Sequence, residues 1–356
     1  MGVRTHRKQI GLAIAVPLAA LAGWFLAPKI GDLGHTWTRV SAGDPVWLLA
    51  AVGLEVLSFI GYVVLFRAVF VRFESRIDWR ESYQITMAGL AATRLLAAGG
   101  AGGVALTAWA LKRSGMNGRT VTQRMTAFMV VLYGIYMAAL LVDGIGLATG
   151  LFGVRASAAV TIVPAAFGGV VIVSALLMSR LRPVAVAAAD ADAERGFRRR
   201  ARRATLSVAA GVRGALGLVR RGEPGLIGGF AWWGFDIAVL WASFHAFGAA
   251  PPVAVIVMGY FVGTLANTLP LPGGVGGVDG GMIGAFLAFG VDPGTAVLAV
   301  LSYRAIAFWL PTAPGLIAYF QLRRTIGDWK AEDAAADDEL QPELEPLPAP
   351  SRIAVA

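Results

Sequence analysis

The sequence predicts an all-α polytopic membrane protein: about six full transmembrane helices plus two re-entrant helical hairpins, in an inverted-repeat, transporter-like architecture. Three observations predict it. Of 356 residues, 57% are apolar and only 15% charged, against about 45–50% and about 25% in soluble domains. The apolar residues gather into runs long enough to cross a hydrocarbon core. Two further apolar segments are broken in the middle by proline and clustered glycine. A soluble globular protein is excluded.

Taken in order, the first run is Ile10–Ala27, preceded by Arg4, Arg7 and Lys8. It resembles a signal peptide, but it is longer than a usual signal core and no clear small-residue cleavage site follows it. It is expected as a first membrane helix, with residues 1–45 forming that helix and an outer loop. The other full spans expected are Val46–Phe70, Met125–Ala148, Ala158–Met178, Leu226–Gly248 and Ala296–Phe320.

Tyr83–Leu111 is interrupted by Gly99, Gly100, Gly102 and Gly103, and Val253–Gly290 by PLPGGVGGVDGG at 270–281. Proline and clustered glycine end helices, and the backbone groups they free cannot face lipid. Each segment is therefore expected as a hairpin whose tip is buried in protein or lines a polar cavity. The alternative is a pair of irregular loops outside the membrane.

Charge separates these alternatives. With both segments folded as hairpins, the pieces on one side (1–9, 71–82, 112–124, 180–225 and 322–330) carry 24 Lys and Arg. The other side carries three, Lys29, Arg39 and Arg155. The positive-inside rule then places both termini in the cytoplasm of a cell whose cytoplasmic membrane holds the protein. The first hairpin enters from the cytoplasmic side and the second from the outer side. This distribution also accounts for the net charge of +9 without nucleic acid, which is not expected as a partner.

An internal repeat agrees with that topology. LAATRLLAAGGAGG (90–103) overlays LANTLPLPGGVGG (265–277) at an offset of 174 to 175 residues, which brings Thr93 near Asn267. One helix earlier, Glu55 and Asp236 occupy corresponding places. Residues 46–179 are expected as the first repeat plus an extra span, and 226–322 as the second, inverted repeat. Between them, 180–225 form a basic cytoplasmic connector, read either as a helix on an anionic membrane surface or as a solvated orientation signal. Residues 323–356 are expected as a disordered, acidic cytoplasmic tail, since its Ala-, Pro- and acid-rich composition cannot bury a core.

Ionisable residues inside spans are costly and are functional candidates by default. They are Glu55, Arg94, Asp143, Asp236, Asp279 and Arg304. Asp143 lies near a span end and is expected either to reach headgroups or to act within the span. The others suit a central cavity, where they either neutralise one another or bind an anion. An arginine fork fits a phosphate, and backbone N–H groups at hairpin tips would add to such a site. Asp279 is expected to hold Arg304 in the empty state. Trp232, Trp233, Trp241 and Trp309 are expected as interface anchors or lipid-facing packing.

Other chemistry finds no support. There is no cysteine, and His6, His35 and His245 lie far apart, so no metal site and no cofactor are expected. A phosphate-binding Walker sequence, a zinc-protease motif and a nucleophile elbow with a histidine partner are all missing from the sequence.

At PLPGGVGGVDGG, and at Tyr303 and Arg304 in the last span, the sequence resembles the transmembrane-region family of lysylphosphatidylglycerol synthases, flippase-like proteins that also occur as stand-alone members. Pro270, Pro272, Gly273, Gly274, Gly276, Tyr303 and Arg304 match the family pattern. Asp279 stands where that pattern usually has glutamate. The resemblance covers roughly residues 10–324. It implies a lipid translocase for an anionic phospholipid or a polyprenyl-phosphate-linked lipid, with Arg94, Arg304, Asp279, Asn267, Thr93 and Tyr303 around the headgroup. About 35 residues follow the last span, so the soluble aminoacyl-transferase domain of bifunctional members is not expected, nor is enzyme activity. Two other readings stay open: a secondary transporter for a small anion or ion, with Glu55 and Asp236 carrying protons, and a non-transporting scaffold. Expected partners are membrane lipids and a lipid-modifying enzyme or glycosyltransferase.

Overall fold

The computed structural model describes residues 43–71, 76–95, 101–154, 156–180, 197–265 and 276–340. Its elements are α1 (Pro45–Phe70), α2 (Trp79–Leu95), α3 (Ala101–Arg113), α4 (Gly118–Thr149), α5 (Ala158–Ser179), α6 (Phe197–Arg220), α7 (Ile227–Phe247), α8 (Val253–Leu265), α9 (Gly277–Ala288), α10 (Pro293–Arg304) and α11 (Thr312–Leu340). A π-helical turn, Ala305–Trp309, joins the last two. Among the described residues five helical stretches are long and apolar enough to cross a membrane, and they coincide with five of the six expected spans. The sixth, Ile10–Ala27, lies outside the described residues.

Local chemistry sets the ends of these helices. Asp44 accepts a hydrogen bond from the Val46 N–H ahead of Pro45, and Asp292 does the same for Thr295 ahead of Pro293. Each supplies one of the acceptors that a helix start lacks. Asn117 caps α4 through the Thr120 N–H. That helix stops at Gly150, whose φ of 74° is the left-handed conformation glycine adopts at little cost.

The two broken segments are hairpins of short arms. The arms of the first have 17 and 13 residues and those of the second 13 and 12. At about 1.5 Å per residue, none reaches the ~30 Å of a hydrocarbon core. Each pair of arms packs together. In the first, the backbones come together at Gly89, whose carbonyl a Cβ placed on Gly103 would overlap. In the second they come together at Gly263, whose Cα would lie 3.2 Å from a Cβ on Gly281. Gly89 and Gly263 are 174 residues apart, the offset of the sequence repeat.

Contacts between elements carry the same symmetry. Helix α1 packs on α7, its counterpart in the other half. The arm α2 packs on α11 as α8 packs on α4, and α1 meets α4 as α7 meets α10. The α1–α7 crossing is antiparallel: Asp44 N–H donates to Ala246 O at 2.9 Å near one end, and Ser58 Oγ to Trp232 O at 2.9 Å near the middle. Gly61 and Gly228 let the backbones touch, since a Cβ on Gly228 would overlap Gly61 O.

The basic residues collect at one end. Arg67 Nη1 donates to Ser82 Oγ, Arg124 Nη1 to Phe70 O, and Arg76 pairs with Asp333. The first hairpin begins and ends at this basic end and the second at the opposite end, as the charge pattern predicts.

The last span is present as expected but is interrupted before α11, because Pro311 and Pro314 lack the N–H groups that would continue a regular helix. Two expectations change. Residues 323–340 are not a disordered tail: α11 runs to Leu340, with Leu322, Ile326 and Trp329 buried and Thr325 Oγ1 donating to Gln84 on α2. Residues beyond 340 lie outside the described residues. The connector helix α6 does not stand alone on a surface, because Ala209, Val212, Ala215 and Leu218 form one buried face against α4 and α5.

Candidate functional site

In the antiparallel register of α1 on α7, Glu55 falls opposite Asp236. The two carboxyls lie close enough to act on one another electrostatically, one from each half of the molecule. Both are buried, at 3% and 8% exposure. Tyr260 on α8 and Tyr303 on α10 each donate their hydroxyl to Asp236 Oδ2, Tyr303 at 3.1 Å. Among the described residues no protein donor reaches Glu55 Oε2.

Close by, the second hairpin meets the last span. Arg304 Nε lies 2.7 Å from Asp279 Oδ1, and each side chain is 11% exposed. Asp279 sits in the first turn of α9, and its Oδ2 accepts from the Gly276 N–H at 2.9 Å. Gly276 has a φ of 82°, which favours glycine there. The carboxylate thus answers a helix N-terminus and an arginine together. The Arg304 guanidinium also lies 4.2 Å from the centre of the Phe308 ring.

Arg94, near the end of the first hairpin's leading arm, spans two backbone carbonyls. Its Nη1 donates to Phe308 O at 3.0 Å and its Nη2 to Ala307 O at 2.9 Å. The sequence explains why these acceptors exist. In an α-helix the Ala307 carbonyl would accept from residue 311, but Pro311 has no N–H. The break in the last span therefore presents carbonyls that a guanidinium fork fits. Both carboxyls of the acid pair act on Arg94 electrostatically.

These groups face one cavity of about 870 Å³, within the range of small-molecule sites. Glu55, Thr93, Arg94, Asp236, Tyr260, Tyr303 and Arg304 line it, with aromatic and methionine side chains between them. A second hollow of about 450 Å³ runs along the outer face of α1, α2 and the last span. Its wall is apolar, with Val56, Ile60, Trp79 and Leu310 more than half exposed there. Glu55 lines both hollows.

The structure brings together most of the residues the sequence singles out. Glu55, Arg94, Asp236, Tyr303 and Arg304 share the cavity, and Asp279 joins through Arg304. Thr93 lines the wall while its hydroxyl donates to Gly89 O within its own helix. Gly102 and Gly103 lie in the first turn of α3 rather than at a tip. Asn267, Gly99, Gly100, Pro270, Pro272, Gly273 and Gly274 lie outside the described residues. Asp143 is buried, at 7% exposure, with Oδ2 unpartnered among the described residues. Trp232 and Trp233 line the cavity rather than face lipid, Trp233 donating to Leu132 O. Sequence reasoning missed Tyr260 and the carbonyls of Ala307 and Phe308. Pro311 is the signal for those carbonyls.

Fold and site define a polytopic α-helical membrane protein, with two inverted hairpins that both line a charged internal cavity. The chain belongs to the family described as the lysylphosphatidylglycerol synthase TM region, whose model matches residues 9–315. It is similar to a UPF0104 membrane protein of Methanothermobacter thermautotrophicus, 37% identical over 90 residues that make up 25% of this chain and 27% of that one. It also resembles a UPF0104 membrane protein of Methanocaldococcus jannaschii, 32% identical over 99 residues, 28% of this chain and 30% of the relative. The matches thus span under a third of the length of these relatives.

Proposed function

We propose that the protein moves an anionic lipid, a phospholipid or a polyprenyl-phosphate-linked lipid, across the membrane. The observation that carries this reading is that Glu55 lines both a polar cavity holding two arginines and an apolar hollow on the outer face. An amphiphile needs both surfaces at once, whereas a soluble anion needs only the first. Arg304 is the headgroup cation in this reading, and an incoming phosphate competes with Asp279 for it. Arg94 serves the site chiefly by positioning the break in the last span. The family membership supports the same reading.

We further infer that the basic end faces the cytoplasm of the cytoplasmic membrane, because the loops there carry the excess of Lys and Arg. The chain has no native cysteine, so Gly118→Cys tests this directly. The introduced thiol should resist an impermeant reagent in intact cells and react once the membrane is opened.

The function is tested in liposomes carrying head-labelled phosphatidylglycerol or a labelled polyprenyl phosphate, with labelled phosphatidylcholine as the control. An impermeant quencher should reach inner-leaflet anionic lipid when the protein is present. Equal quenching in protein-free vesicles would overturn the reading.

A further inference from the structure

The carboxyl pair of Glu55 and Asp236 is a site the anion reading does not use. Both carboxyls are buried and line one cavity, and two like charges so placed cannot both stay ionised at low cost, so the pair holds a proton. Asp236 is already the acceptor for Tyr260 and Tyr303, and no protein donor among the described residues reaches Glu55 Oε2. The pair also stands at the crossing of α1 and α7, where the two halves of the molecule meet, and it lies on the cavity wall.

The charged and titratable groups around it come from every neighbouring element. They are Arg94 on α2, the Asp279–Arg304 pair from α9 and α10, and the phenols of Tyr62, Tyr133, Tyr136, Tyr260 and Tyr303. The phenols add no charge in their neutral form. With one proton on the carboxyl pair, Arg94 and Arg304 balance Asp279 and the remaining carboxylate, so the empty cavity is neutral. A phosphodiester entering it brings one negative charge into a site walled largely by apolar groups, where uncompensated charge is costly. A second proton on the pair restores neutrality.

We propose that Glu55 and Asp236 form a proton site that loads together with the anion, one proton for each phosphodiester, so that a proton gradient drives the lipid. This rests on the anionic-lipid reading above. No bond beyond the carboxyl O–H forms or breaks. The proton comes from water on the loading side and returns to water on the other.

The test is calorimetric titration of the purified full chain with dihexanoyl-phosphatidylglycerol, farnesyl phosphate and glycerol 3-phosphate, each in two buffers of different ionisation enthalpy. The dependence of the heat on buffer counts protons. Expected is uptake of one proton per phosphatidylglycerol bound, with affinity falling about tenfold per pH unit where the second proton is lost. The Glu55→Gln/Asp236→Asn double variant keeps the volume of both side chains and should bind the lipid with no proton uptake. Lipid binding by the native protein without proton uptake overturns the coupling and leaves the lipid reading standing, as does a proton taken up by the double variant. Should that variant fail to fold, the native proton count still decides. Binding of neither lipid, or of glycerol 3-phosphate alone, overturns the lipid reading and the coupling with it.

Discussion

Arg304 Nε meets Asp279 Oδ1 at 2.7 Å, which ties the last span to the first turn of the second hairpin's returning arm. Asp279 has a second task, since its other oxygen caps the Gly276 N–H. The contact is therefore an ion pair and a helix cap at once. Exchanging the two charges would put an arginine at a helix N-terminus and remove the cap, so failure of the exchange would report on the helix as well as on the pair.

Asp279→Asn separates the two tasks. An asparagine oxygen still accepts from Gly276 while the charge is gone. Removing one partner of a buried ion pair costs about 3–5 kcal/mol, and losing a cap adds about 1 kcal/mol. Asp279→Asn should lower the thermal midpoint in detergent strongly, and Asp279→Ala should lower it further. Equal midpoints for the two variants would show that the cap contributes nothing.

Arg94 and Pro311 are predicted to be energetically coupled. Arg94→Ala leaves the Ala307 carbonyl without its guanidinium donor, at a cost of about 1–3 kcal/mol for a buried group. Pro311→Ala supplies the missing N–H for that same carbonyl. The double variant should be less destabilised than the sum of the single ones, with a coupling of about 1 kcal/mol or more in a double-mutant cycle. Strict additivity of the unfolding midpoints would remove Pro311 from the explanation of Arg94.

Two glycines of α1 should respond in opposite ways. A Cβ on Gly61 meets Gly228 O at 2.8 Å and Trp232 N at 2.8 Å, whereas a Cβ on Gly53 meets nothing within 4 Å. Gly61→Ala should separate the halves locally and destabilise by about 1–3 kcal/mol, the usual range for overpacking. Gly53→Ala should be neutral, or stabilising by up to about 1 kcal/mol through helix propensity. Thermal unfolding in detergent reads both, and a stable Gly61→Ala would contradict the close crossing.

These contacts also show which parts of the site the sequence disclosed. Asp279 and Arg304 were legible because a buried arginine keeps its proton and needs a counter-charge, and few acids lay within reach. The equivalence of Glu55 and Asp236 was legible from the repeat, but their closeness was not. Equivalent residues meet only when they lie on the symmetry axis, and hydrophobic pattern does not reveal which face of α1 turns toward α7. Ser58, Gly61 and Gly228 held that information as a stripe of small residues. The bonding of Arg94 to backbone carbonyls was not legible, because those acceptors become visible only once Pro311 is allowed to interrupt the last span. Composition misled at 323–340, where acidic and alanine-rich sequence masked a helical period.

That period supports the last prediction. Leu322, Ile326 and Trp329 recur at spacings of four and three, which puts them on one face of α11. All three are buried, Trp329 at 7% exposure. Beside them Thr325 bonds to Gln84, while the exposed Arg76–Asp333 pair, at 44% and 55% side-chain exposure, lies at the rim. Exposed ion pairs contribute about 0–1 kcal/mol, whereas truncating a buried tryptophan costs about 3–5 kcal/mol. Trp329→Ala should therefore free the end of α11 from α2, and Asp333→Ala should leave it in place. Trypsin provides the measurement, because Arg323, Arg324 and Lys330 lie along this helix. Cleavage at these sites should be slow in the native protein and in Asp333→Ala, and fast in Trp329→Ala. Rapid cleavage of the native protein there would mean that residues 323–340 do not pack on α2.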